Sequence, residues 1–165
     1  MVSSEKIIMA SPMQTRRFGR VLGALCVPGD VIALGGDLGA GKTTLTQAIA
    51  AGAGVDPAEY VNSPSFALLH EYHGRIPLYH MDFYRLQDAD DVVALGLDEY
   101  FYRSGIAVVE WYERAKSVLP GSTLFVDLSV VDAQRRLVIL RSGAVSWQER
   151  IPGIADQMIG ATDND

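Results

Sequence analysis

A glycine-rich segment that ends in lysine and threonine, residues 36–43, constrains the fold of this 165-residue chain more than any other feature. It fits the pattern G-x-x-x-x-G-K-[ST], in which a loop between a strand and a helix surrounds phosphate groups. The apolar run Val31-Ile32-Ala33-Leu34 precedes the segment, and Lys42 to Ala51 has the spacing of a helix. The sequence therefore predicts a strand, a glycine loop and a helix in the order that phosphate binding requires.

The residue types in this loop suit a nucleoside triphosphate with Mg²⁺. Gly39 and Gly41 allow the backbone to turn its N–H groups toward an anion, and the helix N-terminus adds a partial positive charge. We expect Lys42 to reach the β- and γ-phosphates and the Thr43 hydroxyl to bind Mg²⁺. An ordinary glycine turn with an exposed lysine is the alternative, and the match of both flanking segments argues against it.

Composition limits the other possibilities. The chain is 48% hydrophobic, which suits a single domain over residues 1–160, with residues 161–165 as a disordered tail. No apolar run approaches the length of a membrane span, so we expect no membrane partner. Cys26 is the only cysteine, which rules out an intramolecular disulfide and favours a cytoplasmic protein in which this residue is part of the core.

The charge distribution argues against unaided binding of a nucleic acid. The formal net charge is −6, and basic residues occur at most in pairs, as in Arg16-Arg17 and Arg135-Arg136. A polyanion is normally held by a clustered basic surface. If a nucleic acid is involved, we expect another subunit to bind it.

The remaining elements predict an α/β fold of the P-loop NTPase type, with three layers and a mixed sheet. Its parallel centre is expected to carry antiparallel additions. The expected elements are a helix after Ser11-Pro12, strands at 66–72 and 76–82 joined by a tight turn at 73–75, a helix at 88–95, a strand at 106–109 ending in Glu110, a hairpin of 123–130 with 136–140, and a broken or bent helix around Pro152-Gly153.

Two carboxylates are candidates for the chemistry. Glu110 closes an apolar strand, as a Walker B acid does, and could hold Mg²⁺ opposite Thr43. Asp82 ends another strand and could orient an attacking water, since positioning suits it better than acting as a base. The alternatives are a surface carboxylate at a strand end and an aspartate that accepts hydrogen bonds from turn N–H groups.

Other side chains are open to both functional and structural interpretations. Ser63 and Ser65 could contact phosphate or Mg²⁺, or simply form a proline turn. Trp111 could cover a ligand, meet a partner or pack in the core. Arg85 and Arg114 could neutralise transition-state charge or form salt bridges. The spacing of the three histidines disfavours a zinc site.

Four segments, taken in order, resemble the bacterial TsaE (YjeE) ATPases. They are residues 36–44, Ser63-Pro64-Ser65-Phe66, residues 80–86 and Val109-Glu110-Trp111. The similarity runs from about Ser11 to about Leu140. Residues 96–101 also resemble the family's segment before the glutamate strand.

The resemblance implies a role for each matching residue. Lys42, Asp82 and Glu110 would be catalytic, and Thr43 and Glu110 would bind Mg²⁺. The residues implied in ATP binding are Asp37, Leu38, Gly39, Ala40, Gly41, Lys42, Thr43, Thr44, Ser65 and Trp111.

The resemblance also implies partners. The family takes part in making threonylcarbamoyladenosine in tRNA, and its members bind a complex of TsaB and TsaD and hydrolyse ATP there. TsaD transfers the group to tRNA, so contact with tRNA would be indirect. ATP turnover is thought to reset that complex between cycles.

Two other classes of protein stay open from the sequence. A small-molecule P-loop kinase needs an acceptor pocket and usually an arginine-rich lid. Arg85 and Arg103 are the only arginines between Phe83 and Gly105, which is few for such a lid. A nucleotide-switched adaptor with negligible turnover would share every motif with a slow ATPase. A small GTPase is disfavoured because no base-reading Asn-Lys-x-Asp motif is present.

Overall fold

A seven-stranded mixed sheet forms the centre of the computed structural model, which describes residues 2–159. The strands are β1 (Ser3–Met9), β2 (Val31–Gly35), β3 (Leu69–Tyr72), β4 (Leu78–Asp82), β5 (Ile106–Glu110), β6 (Leu124–Val130) and β7 (Arg136–Ser142). The helices are α1 (Pro12–Leu25), α2 (Lys42–Gly52), α3 (Ala89–Ala94) and α4 (Val145–Ile159), with 3₁₀ segments at Leu97–Tyr102 and Tyr112–Val118.

The strand order is β1-β7-β6-β2-β5-β4-β3. The central strand β2 is parallel to both β5 and β6, and β4 is parallel to β5. The outer pairs β1–β7, β6–β7 and β3–β4 are antiparallel. The predicted fold class, with a parallel centre and antiparallel additions, is therefore confirmed.

Helices cover both faces of the sheet, which gives three layers. Alternate residues of the buried strands belong to separate apolar clusters, because successive side chains of a strand point to opposite faces. Ile32 and Leu34 pack with α1, α2 and α4, while Val31 and Ala33 pack with α3 and the 3₁₀ segments. Strand β2 is buried along its whole length, as expected for the central strand of such a sheet.

Helices α1 and α2 pack unusually closely, and glycines make that approach possible. A Cβ at Gly23 would lie 2.0 Å from the Ile49 carbonyl oxygen, and one at Gly52 would lie 2.1 Å from the Arg20 carbonyl oxygen. Ser11 caps α1 by accepting a hydrogen bond from the Gln14 N–H, and Pro12 occupies its first turn. The helix start predicted at Ser11-Pro12 is therefore confirmed.

Three local features differ from the prediction. Strand β1 was not predicted; it lies at the sheet edge, and its first four residues, Ser3 to Lys6, are all polar, so the sequence lacks the apolar alternation that indicates a strand. Strand β3 begins only at Leu69, because Leu68 has a left-handed φ of 66° that interrupts extended backbone. Strand β4 likewise begins at Leu78 rather than Ile76, so the connection is longer than the predicted tight turn.

Of the broken or bent helix predicted around Pro152-Gly153, the break is wrong. Helix α4 runs from Val145 to Ile159 with the proline inside it. Buried apolar residues lie on both sides of the proline, including Trp147 and Ile154, and their packing holds the helical turns together. The tail predicted at 161–165 lies outside the described residues. Within residues 2–159, no helix combines the length and apolar character needed to cross a bilayer.

Candidate nucleotide-binding site

The glycine loop lies at the carboxyl end of β2 and runs directly into α2. Gly36, Gly39 and Gly41 have φ values of 133°, 81° and 108°, in the left-handed region that favours glycine. Gly41 precedes α2 without any side-chain cap, so the first N–H groups of that helix stay available to an anion. Arg136 supports the loop from β7, because its Nε donates to the Ala40 carbonyl at 3.0 Å.

Lys42 extends back along the loop. Its Nζ donates to the carbonyl oxygens of Gly36 and Asp37 at 2.5 and 2.9 Å, and it lies 4.2 Å from the centroid of the Trp111 ring. Burial lowers the pKa of the ammonium, while nearby carboxylates, chiefly that of Glu110, act in the opposite direction. The residue therefore places a positive charge in a partly desolvated position at the base of the loop.

An open cleft of about 530 Å³ faces this loop. It is lined by Leu38, Gly39, Gly41, Lys42, Thr43, Thr44, Ser63, Ser65, Asp82, Tyr84, Glu110 and Trp111. Segments far apart in sequence meet here because β2, β4 and β5 are parallel neighbours whose carboxyl ends share one edge. A cleft of this size is within the range of small-molecule and cofactor sites.

Glu110 connects the loop to the sheet. Its Oε1 accepts a hydrogen bond from the Thr43 hydroxyl at 3.2 Å, and its Oε2 lies 2.5 Å from Nε2 of His80. The carboxylate is buried at the last position of β5. The position expected for a Walker B acid, opposite Thr43, is therefore the one that Glu110 occupies.

Asp82 is fixed by two donors. Its Oδ2 accepts from the Ser63 hydroxyl at 2.6 Å, and its Oδ1 accepts from the Tyr84 N–H at 2.9 Å. The Ser65 hydroxyl lies 3.3 Å from that of Ser63. Asp82 thus accepts a turn N–H, as the structural alternative supposed, while its carboxylate also lines the cleft.

Trp111 follows Glu110 in a strained conformation. Its φ is 58°, which is uncommon for a residue with a large side chain. The ring is partly buried, and its centroid lies 5.0 Å from that of Tyr84. The ring packs against the apolar cluster that includes Val109 and Tyr112 and also lines the cleft, so it combines a core contact with a surface toward the site.

Some residues predicted from the sequence lie outside the cleft lining. Asp37 and Ala40 contribute carbonyl oxygens to Lys42 and Arg136. The Arg85 guanidinium lies 4.0 Å from the centroid of the exposed Phe66 ring, and that of Arg114 lies 5.8 Å from the Tyr84 ring. Within residues 2–159 no group of three or more histidine, cysteine and acidic side chains is placed so that it could hold a metal ion.

The sequence interpretation did not assign three contacts. Ser63 rather than Ser65 touches Asp82, His80 touches Glu110, and Arg136 holds the glycine loop. The two-residue spacing of His80 and Asp82 placed them on one face of β4, but that spacing does not identify a partner on β5. Arg136 acts across 96 residues of sequence, so no local pattern could have indicated its contact.

The sheet order, the glycine loop entering α2 and the acid at the end of β5 together define a fold of the P-loop NTPase type. Comparison with known proteins narrows this class. Residues 9–138 match the family described as "Threonylcarbamoyl adenosine biosynthesis protein TsaE". The chain belongs to the TsaE family, whose role lies in the biosynthesis of threonylcarbamoyladenosine in tRNA.

Individual relatives agree with this assignment. The chain is similar to the tRNA threonylcarbamoyladenosine biosynthesis protein TsaE of Treponema pallidum, with 41% identity over 81% of this chain and 98% of that protein. It is 45% identical to the protein of the same name from Bacillus subtilis, over 69% of this chain and 70% of the relative. The crystal structure of Bacillus subtilis YdiB superposes with a TM-score of 0.81 at 33% identity, covering 95% of this chain and 97% of the other.

Proposed function

We propose that this protein is a Mg²⁺-dependent ATPase that drives a TsaB–TsaD complex during the formation of threonylcarbamoyladenosine in tRNA. The observation that carries the proposal is the convergence of Lys42, Thr43, Asp82 and Glu110 on one cleft beside the glycine loop. Asp82 and Glu110 end strands β4 and β5, and Lys42 and Thr43 begin helix α2 after the loop that follows β2. Membership of the TsaE family supports the pathway, and the chemistry of the cleft supports nucleotide hydrolysis.

The residues at the cleft fit a magnesium ion. The Thr43 hydroxyl and the Glu110 carboxylate lie 3.2 Å apart, and both are hard oxygen donors of the kind that Mg²⁺ prefers. When bound there with nucleotide, Mg²⁺ would neutralise charge on the phosphate oxygens. Thr43 and Glu110 are therefore the residues we assign to hold it.

The chain's own groups have separable roles in the proposed reaction, in which water attacks the γ-phosphorus and ADP leaves with inorganic phosphate. Backbone N–H groups of the glycine loop and α2 bind the phosphates. Lys42 supplies a positive charge beside them. Asp82 orients the attacking water, because its two oxygens are already fixed by Ser63 and Tyr84 and keep lone pairs free.

Two observations support the proposed partners: membership of the TsaE family and the net negative charge of the chain. The net charge of −6 makes direct binding of tRNA unfavourable, so TsaD and TsaB are expected to hold the RNA. The cleft is open to solvent on one side, and partner residues could complete it. Hydrolysis by the isolated protein is accordingly proposed to be slow.

The test is ATP hydrolysis by the purified protein, alone and with the TsaB–TsaD pair from the same organism. Lys42→Ala is the control for contaminating activity. The proposal expects stimulation by the pair that is lost in Lys42→Ala. Tight ATP binding without stimulation would contradict it in favour of a nucleotide-switched adaptor, and stimulation by a small-molecule acceptor instead would favour a kinase.

A further inference from the structure

His80 is a fully buried histidine in contact with the carboxylate of Glu110. Its Nε2 lies 2.5 Å from Oε2 of Glu110, and its ring has no measurable exposure. Within residues 2–159 its other ring nitrogen, Nδ1, is buried without a hydrogen-bond partner. One nitrogen of the ring is therefore committed to Glu110, and the other contributes no hydrogen bond to the surrounding core.

The contact divides the two oxygens of Glu110 between two partners. Oε2 is occupied by His80, while Oε1 is directed at the Thr43 hydroxyl at 3.2 Å. An ionised carboxylate only accepts hydrogen bonds, so Nε2 of His80 is the donor. The lack of an acceptor near Nδ1 favours the tautomer that carries its proton on Nε2.

We infer that His80 is a positioning residue that fixes the orientation of the Glu110 carboxylate and thereby presents Oε1 toward Thr43. The terminal torsion of a glutamate is soft, so an unrestrained carboxylate would sample many orientations. The inference rests on the proposed function in one respect, because it treats Glu110 as a ligand of Mg²⁺. Hydrogen bonds that orient a ligand in this way typically change metal affinity by about 10- to 100-fold.

Simple core packing is the alternative explanation for a buried histidine. The asymmetry of the ring contacts separates the two explanations. Glutamine places an amide nitrogen where Nε2 of histidine lies, whereas asparagine places one near the position of Nδ1. If His80 acts through Glu110, His80→Gln should retain the Mg²⁺-dependent affinity for ATP and His80→Asn should not, although both replace the ring by a smaller amide.

The experiment is titration of ATP binding in Mg²⁺ and in EDTA for the wild type, His80→Gln and His80→Asn. We expect His80→Asn to weaken the affinity for ATP in Mg²⁺ by about 10- to 100-fold and to leave the affinity in EDTA unchanged. The affinity of His80→Gln should be close to that of the wild type under both conditions. In the double variant, His80→Asn should cause no further loss of ATP affinity beyond that caused by Glu110→Ala. Equal losses in Mg²⁺ and EDTA, or equal behaviour of the two amides, would overturn the inference.

A second readout separates this inference from the proposed function. If ATP binding by the wild-type protein shows no dependence on Mg²⁺, the metal part of the proposed function is wrong. The His80 imidazole can still be followed by ¹⁵N NMR of the full chain without nucleotide. A protonated Nε2 whose resonance shifts on Glu110→Ala would support the positioning contact, and an Nε2 resonance insensitive to that substitution would overturn it.

Discussion

Asp82 and Glu110 are paired in register as the last residues of the adjacent parallel strands β4 and β5. The Phe83 N–H donates to the Glu110 carbonyl at 3.0 Å, so the pairing with β5 continues one residue beyond the end of β4. The two carboxylates therefore reach the cleft at the same edge of the sheet, yet each is held by different donors. This separation fits the roles proposed for them, Glu110 toward Mg²⁺ and Asp82 toward the attacking water.

Substitution of Asp82 is expected to reduce turnover rather than nucleotide binding. Asp82→Asn keeps the shape and can keep both contacts, because its oxygen can accept from the Tyr84 N–H and its amide nitrogen can donate to the Ser63 hydroxyl. It loses the negative charge and the lone pairs of one oxygen, which are the features proposed to hold the attacking water. We predict a fall in kcat of about 100-fold in the presence of TsaB and TsaD, with little change in ATP affinity. Ser63→Ala is the matched control and should lower kcat by roughly tenfold. Wild-type turnover by Asp82→Asn would contradict the role assigned to this carboxylate.

The contact between Lys42 and Trp111 predicts an optical signal for nucleotide binding. Trp111 borders the cleft 4.2 Å from the Lys42 ammonium, whereas Trp147 is fully buried in the core. Phosphate groups that attract Lys42 should change the emission of Trp111 alone. Titration with ATP should therefore change the fluorescence of the wild type but not that of Trp111→Phe. The substitution should weaken binding by at most about 1 kcal/mol. If ATP changes the fluorescence of Trp111→Phe as much as that of the wild type, the signal does not come from Trp111 and the prediction is wrong.

Cys26 is expected to be unreactive in the native protein. Burial, with a contribution from the carboxylate of Asp30, raises the pKa of the thiol from 9.0 to about 12. At pH 8 its thiolate fraction should be about 1000-fold lower than in the unfolded chain, so a thiol reagent should modify it only after unfolding in urea. Rapid modification of the folded protein would contradict this burial.

The same shift predicts a pH dependence of stability. Because the pKa is raised on folding, the unfolded state loses its proton first, and the contribution of this thiol is complete below about pH 9 and falls as pH rises toward 12. The difference in free energy of unfolding between the wild type and Cys26→Ser should shrink between pH 8 and pH 9.5. A constant difference over that range would be inconsistent with the shift.

Two helical glycines should respond to alanine in opposite directions. A Cβ at Gly23 would lie 2.0 Å from the Ile49 carbonyl oxygen, whereas one at Gly153 would meet no atom within 4 Å. Gly23→Ala should destabilise the protein by about 1–3 kcal/mol or more through overpacking. Gly153→Ala, the matched control, should stabilise it by about 0.5–1 kcal/mol. Urea unfolding of both variants provides the measurement, and equal effects would refute the close packing of α1 on α2.

The parts of the fold that could be predicted from sequence are those with a local signal. Strands β2 and β5 are continuous apolar runs, and the glycine loop has a pattern that depends on nearby residues alone. The β6–β7 hairpin was also predicted, and it is confirmed. Edge strand β1 was missed because it lacks a local apolar alternation, and its pairing with β7 joins residues from 127 positions apart, at Met9 and Arg136, to 139 positions apart, at Ser3 and Ser142.

The contacts within the site were harder to predict for the same reason. The sequence identified Glu110 and Asp82 as carboxylates at strand ends, but not the side chains that hold them. His80 meets Glu110 only because β4 and β5 are neighbours in the sheet, and Ser63 meets Asp82 across 19 residues. Such pairs follow from the strand order, which no local pattern specifies.

The most direct test of the account is calorimetric titration of the purified protein with ATP, with and without Mg²⁺, for the wild type, Lys42→Ala and Glu110→Ala. The account predicts that the wild type binds ATP more tightly with Mg²⁺. It further predicts that Lys42→Ala weakens binding under both conditions and that Glu110→Ala removes only the Mg²⁺-dependent part. Binding that is unchanged by Lys42→Ala, or an effect of Mg²⁺ that persists in Glu110→Ala, would contradict the assignment of this cleft as a Mg²⁺–ATP site.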